Sequence, residues 1–158
     1  MCLAPSWSKI CTPSVYLAGG IDVGDPHNWW NEMTAALSPL SVTMISPCRK
    51  DWDPSWKQRA TNLWFNEQMK WELQRPEEAD VIALHLRPGA TCPTNLMELC
   101  LYAPSGKLVV CCPDGFSLKG HVEMVCDKYG IPLVETVEDF VATVKERLLQ
   151  AELRSLEI

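Results

Sequence analysis

Val81-Ile82-Ala83-Leu84-His85-Leu86 is a nearly unbroken apolar run that stops at Arg87-Pro88-Gly89. A short apolar run closed by turn residues reads as a strand. It shows no alternation with polar residues, so both of its faces are buried. Such strands belong to parallel sheets covered by helices. The same pattern recurs on either side. Val15-Tyr16-Leu17-Ala18 ends in Gly19-Gly20, and Val42-Thr43-Met44-Ile45 ends at Ser46-Pro47. Further on, Leu108 to Cys112 ends at Pro113-Asp114-Gly115, and Ile131 to Val134 forms the last run.

Helical patterns lie between these runs. Trp29, Trp30, Met33 and Leu37 mark the first, and roughly Gln58 to Gln74 the second. Leu96, Leu99, Cys100 and Ala103 mark the third, and Val122, Val125, Cys126 and Tyr129 the fourth, at i, i+3, i+4, i+7 spacing. The fifth carries Val137, Phe140, Val141, Val144 and Leu148, and its start at Thr136-Val137-Glu138-Asp139 has a hydroxyl followed three residues later by an acid. Strands alternating with helices predict an α/β fold: a doubly wound, five-stranded parallel sheet, flavodoxin-like in its order 2-1-3-4-5, with helices on both faces. No linker or repeat divides residues 1–158, so the expectation is a single domain.

Composition sets bounds. The chain has 158 residues, 47% of them hydrophobic and 22% charged, and a net charge of −6. Disorder is excluded, and a generic nucleic-acid surface is disfavoured because phosphate backbones need clustered Lys and Arg. The eight cysteines have no C-x-x-C or Cys/His zinc spacing, and several sit inside apolar runs. They read as reduced thiols of a cytoplasmic protein without a metal or other cofactor site. No apolar stretch approaches a membrane span, and the N-terminus lacks the apolar core of a signal peptide.

In a doubly wound fold, ligands bind beyond the carboxyl ends of the strands, where the strand order reverses. The residues there are therefore candidates. Gly19 and Gly20, followed by Asp22, let a backbone approach a ligand, or form a plain tight turn. Cys92-Pro93-Thr94 opens a helix on which Glu98 falls within the first two turns, where the helix dipole favours its ionised form. Glu98 is then either a nucleophile beside the cleft or a solvated acid. Glu72, in Trp71-Glu72-Leu73, supplies the second carboxylate that glycosidic chemistry wants, or is a surface acid. Trp52 and Trp56, in Arg49-Lys50-Asp51-Trp52-Asp53-Pro54-Ser55-Trp56, either stack on a flat ring or pack the loop down. Asp80, at the opposite end of its strand, reads as structural, and His85 as a core residue.

In their order and spacing these pieces resemble the nucleoside 2-deoxyribosyltransferase family and its relatives, the 2′-deoxynucleoside 5′-phosphate N-hydrolases. The carriers are Tyr16-Leu17-Ala18-Gly19-Gly20, Trp71-Glu72 through Ala79-Asp80, Cys92-Pro93-Thr94-Asn95-Leu96-Met97-Glu98-Leu99, and Gly106-Lys107-Leu108-Val109-Val110. The resemblance implies cleavage or exchange of the N-glycosidic bond of a (2′-deoxy)nucleoside or nucleotide, with retention. Glu98 would be the nucleophile, Glu72 would position the substrate and handle the leaving base, and Tyr16 would orient Glu98. It also implies a homodimer or larger assembly, in which the segment Phe116 to Glu123, with His121, completes a neighbour's site. Cys92 stands where the transferases carry aspartate and the phosphate-preferring hydrolases serine. The rival readings are a non-catalytic nucleoside- or nucleotide-binding module on the same fold and a flavodoxin-like redox or signalling domain.

Overall fold

The computed structural model describes residues 1–20 and 28–157. It contains one all-parallel sheet. Its strands are β1 (Cys2–Leu3), β2 (Ser14–Gly19), β3 (Thr43–Ser46), β4 (Val81–His85), β5 (Leu108–Cys111) and β6 (Leu133–Val134). The spatial order is β1-β3-β2-β4-β5-β6. The expected five-stranded sheet is thus corrected to six. The added strand is only two residues long, Cys2–Leu3, and pairs with Ile45 and Ser46 at the edge. So short a segment carries no hydrophobic period for a sequence reading to detect.

The helices are α1 (Trp29–Leu37), α2 (Leu63–Glu78), α3 (Pro93–Tyr102), α4 (Lys119–Tyr129) and α5 (Val137–Leu156). The second starts at Leu63 rather than near Gln58, because Asn62 is its cap: the side-chain oxygen accepts from the Phe65 N–H at 3.0 Å. Thr136 caps α5 in the same way, accepting from the Asp139 N–H at 3.1 Å.

Alternation along the strands divides the core in two. Tyr16, Ala18, Ile82, Leu84, Leu108 and Val110 pack with Trp71, Leu99, Tyr102 and Val122 on one face. Val15, Leu17, Val81, Ala83 and Val109 pack with Met33, Leu37, Phe140 and Val144 on the other. Thus α2, α3 and α4 cover one face and α1 and α5 the opposite one.

Asp80 is structural, as expected: its carboxylate accepts from the Ser14 N–H at 2.8 Å and the Ser14 hydroxyl at 2.7 Å, locking the amino ends of β2 and β4 together. The N-terminal segment is tied to α2. Trp71 Nε1 and Arg75 both donate to the Ser6 carbonyl, at 2.7 and 2.8 Å. All eight cysteines are free, four of them buried. Among the described residues no helix is long and apolar enough to cross a membrane.

His85 is a core residue, 5% exposed, with its ring stacked on Trp29 at 5.2 Å and Nδ1 without a partner. Burial lowers its pKa from 6.5 to about 4. The folded state therefore resists the proton. The His85 contribution to stability is whole above pH 6.5 and is lost as pH falls toward 4, by about 3 kcal/mol from a shift of this size. Between pH 7.5 and 4, the wild type is expected to lose that much more unfolding free energy than His85→Leu, as urea denaturation at the two pH values would show.

Candidate active site

The strand order reverses between β2 and β4. The chain leaves β2 for β3 on one side and then crosses back to β4 on the other. The crevice at the carboxyl ends of these two strands is where such folds bind ligands. Three elements bring residues together near it: Gly19 from β2, Gln68 and Glu72 from α2, and Glu98 from α3, with Tyr16 and Asn95 buried.

Gly19 is required where it stands. Its φ is +138°, and a Cβ there would lie 2.6 Å from the His85 carbonyl oxygen of the paired strand. Gly20 has no such constraint. Among the described residues nothing lies within 4 Å of a Cβ built on it, and its carbonyl accepts from Trp29 Nε1 at 2.9 Å.

Two hollows meet at Glu72. One, of about 370 Å³, is lined by Gly19, Pro47, Cys48, Arg49, Trp52, Gln68 and Glu72. The other, of about 680 Å³ and largely apolar, lies between α2 and α3 and is lined by Phe65, Met69, Glu72, Thr94, Met97, Glu98 and Tyr102, among others. Both acids therefore border one space, and Glu72 faces the loop-covered cleft as well.

Each carboxylate is held by an amide. Asn95 Nδ2 donates to Glu98 Oε2 at 2.8 Å, and Gln68 Nε2 donates to Glu72 Oε1 at 2.7 Å and to the Pro47 carbonyl at 2.9 Å. Burial raises the Glu98 pKa to about 7, with the Glu72 charge adding to the rise and the Asn95 hydrogen bond opposing it. Glu72 is raised too, again chiefly by burial. The helix dipole was expected to keep Glu98 ionised. Desolvation outweighs it, because Glu98 sits in the second turn of α3, past the strongest part of the dipole field. Tyr16 is fully buried, its hydroxyl has no hydrogen-bond partner, and burial followed by the Glu98 and Glu72 charges pushes its pKa far up. The phenol is thus near both acids without a hydrogen bond to either.

Asn95 and Gln68 were not singled out in the sequence. The signal was available: Asn95 precedes Glu98 by three residues and Gln68 precedes Glu72 by four, the spacings that place side chains together on a helix.

The other candidates are spread more widely. Trp52 lines the smaller hollow, whereas Trp56 stands behind it, edge-on at 5.2 Å, and does not line it. Thr94 lines the larger hollow. Cys92 forms the left-handed residue before α3, at φ 42°, and packs against the core. His121 is exposed on the first turn of α4. Asp22 lies outside the described residues. Among the described residues no cluster of His, Cys, Asp and Glu is arranged to hold a metal ion.

Comparison with known proteins bears on this geometry. No curated protein matched the chain. A family model described as nucleoside 2-deoxyribosyltransferase like matches residues 12–116, from just before β2 to just before α4. That span holds Tyr16, Gly19, Glu72, Asn95 and Glu98, while most of the Phe116–Glu123 segment lies beyond it. Two thirds of the chain is covered, and the chain belongs to the nucleoside 2-deoxyribosyltransferase-like family.

Proposed function

We propose that the protein cleaves or exchanges the N-glycosidic bond of a (2′-deoxy)nucleoside or nucleotide, with Glu98 as nucleophile and retention at the sugar. Membership of the family supports glycosyl transfer in general. One observation carries the finer reading: two half-buried carboxylates from different helices border one hollow between α2 and α3, each held by an amide donor.

In this reading, Asn95 holds Glu98 Oε2 and leaves Oε1 to attack the anomeric carbon. The ester bond forms as the C–N bond breaks, and the electron pair leaves with the base. Glu72, on the other wall of the same hollow, is the acid that protonates the departing ring nitrogen. A second base or water then attacks the same carbon, Glu98 departs as carboxylate, and the nucleophile's proton returns to Glu72. A second copy of the chain would bring the Phe116–Glu123 segment, with His121, toward a neighbour's cleft.

The test is base release. Ribo- and 2′-deoxyribonucleosides and their 5′-monophosphates are incubated with and without a free acceptor base, beside Glu98→Gln. The expected result is release or exchange that vanishes in the variant. Ligand-induced thermal stabilisation without any product would replace this reading by the binding module. The pH profile has a defined sign. Because the attacking form of Glu98 is the anion, kcat/KM is expected to rise through pH 7.

A further inference from the structure

We propose that Arg49 is a positioning residue for a nucleobase platform: it clamps the loop after β3 onto α2 and so holds the Trp52 ring in place as one wall of the cleft. The proposal rests on the glycosidic reading of the site.

Arg49 is charged, yet its side chain is only 2% exposed. Its Nε donates to Asp51 Oδ1 at 2.9 Å, its Nη2 to Asp51 Oδ2 at 3.2 Å, and its Nη1 to Glu67 Oε2 of α2 at 2.8 Å. The guanidinium also lies 5.0 Å from the Trp56 ring centre and 5.9 Å from that of Trp64. Only a planar fork makes these contacts together, since an ammonium cannot grip two carboxylates and lie against two rings at once.

The rings form a ladder. Trp64, in the first turn of α2, stacks on Trp56 at 6.1 Å and 19°. Trp56 meets Trp52 edge-on at 5.2 Å. Trp52 is the member that lines the hollow, together with Gly19 and Glu72, and it keeps 41% of its surface exposed. Trp64 is itself 56% exposed, but of the three rings only Trp52 lines the hollow, where it presents a flat face for an aromatic ring. Glu67 is adjacent in sequence to Gln68, which holds Glu72, so the clamp and the amide that holds the acid share one turn of α2. With Asp51 and Glu67 both on it, the Arg49 charge is spent inside the loop. Its role is to fix geometry rather than to bind an anion.

The test measures free adenine binding by calorimetry in the wild type, Arg49→Ala, Trp52→Ala and the double variant. Losing one base-stacking contact is expected to weaken binding about tenfold in either single variant. The double variant is expected to bind no more weakly than Trp52→Ala, because Arg49 acts only through that ring. Trp52→Phe is expected to restore most of the affinity, and Arg49→Lys only part. Effects that multiply in the double variant overturn the proposal, as does adenine affinity unaltered by Trp52→Ala or absent from the wild type. If Arg49→Ala does not fold, Glu67→Gln loosens the same clamp and carries the same non-additivity. Glu98→Gln is expected to keep adenine affinity. Adenine binding that obeys the cycle without any base release would sink the glycosidic reading but keep the clamp. Glu98-dependent base release without a Trp52 effect would do the reverse.

Discussion

Replacing Glu98 by glutamine is expected to stabilise the protein at alkaline pH while removing its activity. A carboxyl whose folded pKa stands at about 7, against the ordinary 4.5, prefers its proton in the folded state. Its contribution to stability is whole below pH 4.5 and is lost as pH rises through 7. A shift of that size corresponds to about 3 kcal/mol. Glutamine has no proton to lose, and its side-chain oxygen still accepts from Asn95. The gap in unfolding free energy between Glu98→Gln and wild type is therefore expected to widen by about 3 kcal/mol between pH 4 and pH 8, as urea denaturation at the two pH values would show. A gap independent of pH would mean that Glu98 is not buried as described. Activity moves the opposite way. If Glu98 is the nucleophile as proposed, its loss is expected to reduce base release by on the order of a thousandfold or more. Gain of stability with loss of activity at one position marks a group held against its own solvation for function.

Gly19→Ala is expected to be the most damaging small substitution in the crevice. At φ +138° an L-residue is strained, at a cost of roughly 1–3 kcal/mol. The added methyl would also meet the His85 carbonyl at 2.6 Å and Trp29 Cζ2 at 3.0 Å. Relieving that overlap must separate β2 from β4, for roughly another 1–3 kcal/mol. The sum is several kcal/mol, a large share of the stability of a domain this size. Gly20→Ala is the control: the added atom meets nothing among the described residues, and stability is expected to change by no more than about 0.5 kcal/mol. Thermal melts of the two variants check this pair. Equal effects would remove the reason given for the glycine at position 19.

The contrast between Gly19 and Gly20 also shows what sequence can and cannot carry. The run Val81 to Leu86 and its counterparts reveal the buried parallel strands because burial on both faces leaves a compositional trace. The Thr136 cap was legible for a similar reason: its partner is three residues away. The β1 strand was not legible, because two residues hold no period. Nor could the pair Gly19-Gly20 say which glycine is indispensable, since the obstacle is a carbonyl 66 residues away on another strand. Glu98, Glu72 and Tyr16 are candidates through a family pattern, and the fold sets Glu98 and Glu72 on one hollow with Tyr16 buried. The rise in the Glu98 pKa is not legible in the sequence. A helix dipole is local and visible in the sequence, whereas the desolvation that overrides it comes from packing between α2 and α3. Trp52 and Trp56 looked equivalent in sequence. Only the fold separates the ring that faces the cleft from the ring that supports it.

The most direct measurement is the intact mass of enzyme quenched in acid during reaction with a slowly turned-over 2′-deoxynucleoside, followed by peptide mapping. The predicted result is a gain of one deoxyribosyl unit on the peptide carrying Glu98, absent from Glu98→Gln. Base accumulating while that peptide stays unmodified, or base release undiminished in Glu98→Gln, would contradict the assignment of Glu98 as the nucleophile.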